Sequence, residues 1–465
     1  MKNTKLKEML VVIGEAFLIA GITIVAVLPV SCKITEQGIK VVSGDYTPPV
    51  LNNFIVQDES TVNLTFSEKV EITGYVIAIA TDDLFGSEEH SSTIDLSPAL
   101  ERVSGVYGTV PCNVVYDEEE PVIQFVLEQQ MEILRQFKQI QLLKISAADI
   151  VGQLTLMKVS DFLTELAEAI ISEVTNIAWK EIIGKYGVPP YVEKNGGYGL
   201  VIVAYGKLGG IELAYGSDLD LVFLHCNCEL DAVTVNGQRA ISVRQFYIRL
   251  IQRIIHLFNI RTSSGILYDI DIRLRPDGDS GLLVSSLNSF ETYQKNDAWT
   301  WEHQALVRAR PIFGDSALIE EFCRIRKEVL QKEREPDKLK QDVIEMRQKM
   351  REHLAKVSDN VFDLKQGNGG MVDIEFIAQY LVLAHANRFP EILTKWSDNV
   401  RIIESCVECQ LMSPEDASRL KQAYLNIRNK AHHCSLRGQE RIVSSRDLEE
   451  ERNFVIDFWN KIMNR

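Results

Sequence analysis

A pair of aspartates leading into an apolar strand constrains this chain more than any other feature. Residues 216–224 read GSDLDLVFL, in which Asp218 and Asp220 alternate with apolar residues. Side chains two positions apart on a strand share a face, so both carboxylates point the same way. They repel each other, and a divalent cation relieves that repulsion. The preceding Gly216 and Ser217 could form a tight turn that aims backbone N–H groups at phosphate oxygens.

A second alternating segment complements the aspartate pair. Residues 265–276 read GILYDIDIRLRP, so one face carries Asp269, Asp271, Arg273 and Arg275 while the other face is apolar. Guanidinium groups bind phosphate oxygens through two N–H donors at once. Such a face can hold a metal ion and a polyphosphate together. Asp269 is the member most simply explained as a surface acid.

Together the two segments predict a two-metal site for displacement at phosphorus. Asp218, Asp220 and Asp271 would bind Mg²⁺, two ions in all, and act as the catalytic carboxylates. Arg273 or Arg275 would bind the phosphates. A lone Asp-x-Asp is usually an exposed acid pair, but the Gly-Ser turn, the second acidic strand and the arginines favour a site.

Lys207 is a further candidate phosphate ligand. It follows the apolar run at 200–205 and precedes Gly209 and Gly210. The segment is not a P-loop, because Gly-Lys-Ser/Thr at the required spacing is missing. An ordinary surface lysine is the alternative interpretation.

Composition divides the chain near residue 120. Residues 1–120 contain one arginine, Arg102, whereas all five tryptophans lie further on. The net charge of the 465 residues is −15, which disfavours nucleic acid as a partner because phosphates must be neutralised by Lys and Arg. We predict five segments: a signal-like or anchor-like segment (1–32), a β-rich segment (33–117), a helical lead-in (118–185), a catalytic domain (186–315) and a helical domain (316–465).

The first 120 residues have the character of an exported protein. Lysines precede an apolar run from Met9 to Val30, and a small residue precedes Cys32, as in a bacterial lipoprotein signal. Glu15 interrupts the apolar run, and a membrane anchor or a buried helix is the alternative. Residues 62–66 alternate with a period of two, and residues 45–70 resemble the opening of a bacterial immunoglobulin-like module.

Longer strings after residue 120 resemble one family, the glutamine synthetase adenylyltransferases. The strings are GKLGG at 206–210 with YGSDLDL at 215–221, RTSSGILY at 261–268, WTWEHQALVRAR at 299–310, GGMVDIEF at 369–376 and WSDNVR at 396–401. Residues 262–267 and 299–310 resemble the C-terminal, adenylylating half of that bifunctional family. The resemblance covers about residues 121–465, and we predict that residues 1–120 do not match the family.

The resemblance implies an α+β nucleotidyltransferase fold of the DNA polymerase β type. It has a mixed sheet with flanking helices, followed by an all-α domain. It further implies Mg²⁺, ATP as substrate, a tyrosine of glutamine synthetase as acceptor, and regulation by the PII signalling protein and glutamine. These partners are cytoplasmic, which conflicts with an export signal; a membrane association would depend on the N-terminal segment being a real anchor.

Other functions stay open at this stage. The chain could be the half that removes AMP by phosphorolysis, or a related enzyme that uridylylates PII or transfers AMP to a small molecule. From a different class, it could be a surface lipoprotein whose enzyme-like part is inert.

Several weaker patterns favour packing over chemistry. Three groups of His and Cys, at 225–228, 406–409 and 432–434, lack a second paired motif at zinc spacing. Trp299 and Trp301 could flank a nucleotide, but packing is the simpler expectation. Asp373 and Glu375 match the family motif, yet two positions apart on a helix they would not share a face.

Overall fold

A computed structural model describes residues 39–41, 51–66, 70–72, 91–93, 109–110, 121–262, 264–354 and 361–463. The chain divides into two compact units, Met1–Leu127 and Glu128–Arg465. The predicted boundaries within the second unit, near residues 185 and 315, stay predictions.

The first unit contains short strands around one long strand. The strands are β1 (Ile39–Val41), β2 (Leu51–Phe66), β3 (Val70–Ile72), β4 (Ser91–Thr93) and β5 (Thr109–Val110). β1 pairs with β3, and β2 lies between a parallel β4 and an antiparallel β5. The strand expected at 62–66 is therefore confirmed within β2. The lipoprotein signal lies outside the described residues, and so does most of the immunoglobulin-like assignment.

The second unit alternates helices with short strands and ends in helices. Its helices are α1 (Pro121–Ile150), α2 (Leu156–Tyr186), α3 (Pro190–Asn195), α4 (Gly206–Gly209), α5 (Val243–Asn259), α6 (Leu287–Asn296), α7 (Thr300–Val307), α8 (Ser316–Leu330), α9 (Pro336–Leu354), α10 (Met371–His385), α11 (Pro390–Leu393), α12 (Asn399–Glu408), α13 (Pro414–Leu436) and α14 (Glu449–Met463). Its strands are β6 (Leu200–Ala204), β7 (Leu219–His225), β8 (Ile270–Asp271), β9 (Val284–Ser286), β10 (Arg310–Gly314), β11 (Val361–Asp363) and β12 (Ile442–Ser444).

A mixed sheet in the order β10-β6-β7-β8 forms the centre of this unit. β6 is antiparallel to both β10 and β7, and every residue of β6 is buried. The remaining edge of β7 is shared, because β8 pairs in parallel with its first residues and β9 pairs in parallel with its last. The start of β7 therefore lies beside β8, where the second acidic segment was expected.

Helix α5 packs against this sheet. It begins after Ser242, whose hydroxyl accepts a hydrogen bond from the Gln245 N–H. Phe246, Leu250 and Ile254 on its apolar face are fully buried. Burying each such side chain contributes about 1.5–3 kcal/mol, which anchors the sheet from one side.

Helices from Thr300 onward surround α10, which is apolar along most of its length. It contacts α7, α9, α12, α13 and α14. The predicted α+β class with a helical C-terminal part is thus confirmed. Within the described ranges, no helix has the length and apolarity needed to cross a bilayer.

Candidate active site

The two predicted acidic strands are neighbours in the sheet. β7 and β8 run parallel, and their register places Asp220 opposite Asp271. Neighbouring strands lie about 4.8 Å apart, so Asp220 and Asp271 are side by side on adjacent strands. Asp218, one residue before β7, is exposed, whereas Asp220 is half-buried. The sequence-predicted aspartates therefore lie together at one end of the sheet.

Electrostatic crowding is strongest at Asp220. Its pKa is raised to about 6, first by burial and then by the negative charges of Asp218 and Asp271. Arg308 and Lys207 oppose this shift. Ionising Asp220 is costly because two other carboxylates lie beside it. A hard divalent cation reduces this repulsion and binds carboxylate oxygens. The donor set therefore fits Mg²⁺.

Asp271 is turned towards an arginine in this conformation. Arg273 donates from Nε to Asp271 Oδ1 at 3.0 Å and to Oδ2 at 2.9 Å, and its backbone N–H donates to Oδ1. These hydrogen bonds lower the pKa of Asp271 below its usual range. The oxygens of Asp218, Asp220 and Asp271 do not all lie within 4.8 Å of one another, so a shared cation would compete with Arg273 for Asp271.

The second acidic segment is shorter as a strand than its alternation predicts. Only Ile270 and Asp271 pair with β7, and the segment then turns, because the Arg275 N–H donates to the Ile272 carbonyl. Ile272 and Leu274 are half-buried, not core residues. The expected apolar face along the whole segment is therefore wrong beyond Asp271.

The two predicted arginines differ in their surroundings. Arg273 has a side chain that is 69% exposed, whereas Arg275 is buried. Arg275 donates to the carbonyl oxygens of Ile272 at 2.8 Å and Gly281 at 3.3 Å, which holds the turn after β8. Arg273 is thus the better placed of the two to reach a substrate.

Gly216 and Ser217 form the turn expected before β7. Gly216 has a φ of +67°, which favours glycine, and a Cβ added at this position would meet open space. The Ser217 N–H donates to the Ala214 carbonyl, and the Ser217 hydroxyl accepts from the Ala214 N–H at 3.2 Å. The Ser217 N–H and one lone pair of its hydroxyl therefore stabilise the turn itself, and the hydroxyl hydrogen can still donate to a phosphate oxygen.

A second glycine approaches the aspartates from β6. Gly206 follows Tyr205, the first residue after this strand, and it has a φ of +54°. A Cβ at this position would lie 2.2 Å from Asp220 Oδ2. The carboxylate of Asp220 therefore rests against bare backbone, and only glycine leaves room for it.

Lys207 faces the aspartates together with two cations that the sequence did not suggest. Burial is the main cause that lowers the pKa of Lys207 to about 8, and the charges of Arg441 and Lys365 add to it. Glu375 and Asp218 act in the opposite direction. Lys207 is therefore within electrostatic range of Asp218 and of two basic groups from distant parts of the chain, an arrangement that suits a polyphosphate carrying bound cations.

A buried ion-pair network lies behind the site. Arg308 contacts both Glu212 and Glu375, and its side chain is 4% exposed. Glu212 also accepts hydrogen bonds from Tyr424 Oη at 2.6 Å and from Asn399 Nδ2. Burial alone would raise the pKa of Glu212, but Arg308 and the other partners lower it. The network joins the segment after α4 to helices α10, α12 and α13.

The weaker sequence patterns have mixed outcomes. Trp299 is 71% exposed and Trp301 is 36% exposed, so the expectation that they pack in the core is wrong. Asp373 pairs with Arg347 and Arg351, whereas Glu375 pairs with Arg308, in agreement with separate roles. Asp269 is exposed, as expected of a surface acid.

Two of the three His/Cys groups show no metal-binding arrangement among the described residues. Cys406 and Cys409 are buried around the end of α12. His432 instead lies 2.6 Å from the carboxylate of Asp149, and His433 is exposed. Cys406, Cys409, His432 and Cys434 are therefore core residues, whereas His433 lies at the surface.

This chain matches two protein families and is similar to one characterised relative. The family described as glutamate–ammonia ligase adenylyltransferase matches residues 113–325, and the family described as PII-uridylyltransferase matches residues 337–443. The bifunctional glutamine synthetase adenylyltransferase/adenylyl-removing enzyme of Mannheimia haemolytica is 43% identical over 433 residues. The alignment covers 90% of this chain and 43% of the relative. It therefore includes part of residues 1–120, and the expectation that these residues do not match the family is wrong. The chain thus spans less than half of the relative's length.

Proposed function

We propose that this chain, which belongs to the glutamine synthetase adenylyltransferase family, transfers AMP from ATP to a tyrosine hydroxyl of glutamine synthetase. The hydroxyl oxygen forms a bond to the α-phosphorus, the bond from that phosphorus to the β-phosphate bridge breaks, and pyrophosphate leaves. The hydroxyl proton passes to solvent. The observation that carries the proposal is the register of Asp220 opposite Asp271, with Asp218 beside them. We assign the sheet to the nucleotidyltransferase fold on the same ground.

Each group near the aspartates takes a role in this reaction. Mg²⁺ held by Asp218, Asp220 and Asp271 would neutralise triphosphate charge and make the acceptor hydroxyl more acidic. Lys207 and Arg273 bind phosphate oxygens, and Lys207 keeps most of its charge at pH 7 because its pKa is about 8. Catalysis of this type depends on positioning and on charge stabilisation.

Lys365 and Arg441 extend the phosphate site, and two other residues shape it. Both cations belong to the helical part of the unit, and their charges act on Lys207. Arg275 and Ser217 hold the turns that flank β8 and β7. Their contribution is to keep the carboxylates in place.

We also propose which effectors regulate the reaction and where in the cell it takes place. The PII signalling protein and glutamine are the effectors that the family resemblance implies. Because ATP and glutamine synthetase are found in the cytoplasm, we propose that the reaction takes place there. We choose glutamine synthetase as the acceptor because the relative's name contains it.

The test uses the full chain with Mg²⁺, ATP labelled at the α-phosphate and unmodified glutamine synthetase. We expect label on the synthetase, and about a 100-fold or greater loss in kcat for Asp220→Asn, comparable to losing one electrostatic stabiliser. Asp269→Asn is the matched control, since this exposed carboxylate lies two residues before Asp271. A kcat for Asp220→Asn within a few-fold of the unmodified chain would overturn the site.

Parallel reactions separate the other functions that the comparisons favour. The relative's name includes adenylyl removal, which predicts release of ADP from adenylylated glutamine synthetase and phosphate. The match of residues 337–443 to PII-uridylyltransferase predicts transfer of UMP to PII. If the chain binds ATP but labels no synthetase while one of these reactions proceeds, the acceptor is wrong and the aspartate site still stands.

A further inference from the structure

The far end of β7 carries a cluster of soft ligands that the nucleotidyl-transfer site does not use. His225 ends the strand, and Cys226 and Cys228 follow it. One ligand atom from each of the three side chains lies within 4.8 Å of the other two. Among the described residues, this is the one group of three or more His, Cys, Asp or Glu side chains that meets this distance.

We propose that His225, Cys226 and Cys228 bind one zinc ion, with solvent as the fourth ligand. Two thiolates and an imidazole are the donors that Zn²⁺ prefers, and they are poor ligands for Mg²⁺ or Ca²⁺. Zn²⁺ with two thiolates and a neutral imidazole carries no net charge. Such a site is compatible with burial, and His225 and Cys226 are both buried.

The backbone brings the two sulfur atoms to the same side. The Cys226 N–H donates to the Gly199 carbonyl at 2.9 Å, and the Cys228 N–H turns back to the Cys226 carbonyl at 3.0 Å. This i to i+2 hydrogen bond forms a tight turn. The Cys228 sulfur then lies within 4.8 Å of a ligand atom of Cys226 and of His225. Because Cys228 is only half-buried, an ion and its water ligand can enter from that side.

The surroundings also fix the imidazole for coordination. His225 Nδ1 lies 2.7 Å from the Cys226 carbonyl oxygen, which can only accept, so Nδ1 carries the proton and Nε2 keeps its lone pair. Metal-binding histidines commonly donate their other N–H to a backbone carbonyl in this way. The ring of Tyr247 stacks on His225 with centroids 5.0 Å apart, and Tyr247 Oη lies 3.7 Å from Cys226 Sγ.

The zinc site is separate from the aspartates on the same strand. Asp220 and His225 are five residues apart, which corresponds to roughly 16 Å along β7. The proposed ion therefore lies apart from the nucleotidyl-transfer site, and it would connect the end of β7 to the loop that leads to α5.

Co²⁺ is the probe, because thiolate coordination gives it intense near-ultraviolet charge-transfer bands that displacement by Zn²⁺ removes. We expect the reduced full chain to bind one Co²⁺ with these bands. Cys228→Ser should abolish them, and His225→Gln should weaken binding at least 10-fold. Cys323→Ser is the matched control because Cys323 is exposed and lies in α8, away from the cluster. Absence of the bands in the unmodified chain, or their persistence in Cys228→Ser, would overturn the proposal.

Thermal unfolding provides the second measurement. With EDTA, Cys228→Ser should unfold at nearly the same temperature as the unmodified chain, since the exchange is small and the side chain is half-buried. Zn²⁺ should raise the unfolding temperature of the unmodified chain only, because a ligand that binds the folded state stabilises it. An equal response of both chains to Zn²⁺ would show that the ion binds elsewhere and would contradict the proposal.

Discussion

Glu212 and Arg308 form an ion pair whose side chains are 2% and 4% exposed. Arg308 also contacts Glu375 of α10 at 3.1 Å and acts electrostatically on Asp220. One guanidinium thus links the segment after α4, the helical part of the unit and the candidate catalytic carboxylate. The position of the site relative to α10 therefore depends on this arginine.

Removing Arg308 should destabilise the fold strongly. In Arg308→Met the carboxylate of Glu212 would remain buried without its main cation, which costs about 3–5 kcal/mol in comparable pairs. Urea unfolding at pH 7 measures this loss. Arg324→Met is the control, because Arg324 forms ion pairs on a surface where its side chain is 41% exposed, and a change within about 1 kcal/mol is expected. Equal losses in the two variants would contradict a special role for the buried pair.

The sequence predicted the aspartates but not the cations that face them. The alternation in residues 216–224 points to Asp218 and Asp220, and the alternation in residues 265–276 points to Asp271. Lys365 and Arg441 lie far along the chain from Asp220, in segments whose local pattern carries no sign of the contact. Only the packing of the helical part against the sheet brings their charges near Lys207.

Two predictions from the sequence, the length of the second acidic strand and the burial of Trp299, failed for local physical reasons. Alternation predicted a strand through Arg275, but strand pairing ends at Asp271, where the chain turns and Arg275 binds the turn's carbonyls. Alternating residues fit an extended loop as well as a strand, so the pattern could not locate this end. Trp299 was expected inside because of its apolar area, yet its exposure depends on neighbours that the sequence does not specify.

Asp220 should reduce the stability of the chain in the absence of a cation. Its pKa is raised to about 6 in the folded state, above the ordinary aspartate value of 3.8. The protonated carboxyl therefore favours folding below about pH 4, and this contribution is lost as the pH rises through 6. At pH 7.5 in EDTA, Asp220→Asn should be more stable than the unmodified chain by about 1–3 kcal/mol.

Urea unfolding at two pH values tests this linkage. The stability gap between Asp220→Asn and the unmodified chain should shrink at pH 4, and Mg²⁺ at pH 7.5 should narrow it by stabilising the carboxylates. Asp269→Asn, which replaces an exposed carboxylate, should show no such pH dependence. A gap that is independent of pH would mean that charge crowding is not its cause.

Lys207 should set the alkaline limb of the pH profile for ATP. Burial and then Arg441 lower its pKa to about 8, so kcat/KM for ATP should fall above that pH as the charge is lost. Arg441→Gln removes one repulsive charge, and the limb should move to higher pH even though binding weakens. Arg437→Gln is the control, since Arg437 is exposed and lies four residues earlier. If the alkaline limb did not move in Arg441→Gln, the charge of Arg441 would not control the pKa of Lys207.

Two glycines with similar backbone conformations should respond differently to alanine. Gly206 and Gly216 have φ values of +54° and +67°, and an alanine in this region costs about 1–2 kcal/mol of backbone energy. At Gly216 the new methyl group meets open space, whereas at Gly206 it would lie 2.2 Å from Asp220 Oδ2. Both variants should therefore lose similar stability, but Gly206→Ala should displace a catalytic carboxylate and lose about 100-fold in kcat.

Measuring kcat and the free energy of unfolding for both variants separates backbone strain from displacement of the carboxylate. Gly216→Ala should retain most of its kcat at saturating ATP, because the strain acts on the turn and leaves Asp220 in contact with Gly206. If both variants lost activity in proportion to stability, strain alone would explain the effect. If Gly206→Ala kept full activity, the carboxylate of Asp220 would not need its place against the end of β6, and its assignment as a metal ligand would fail.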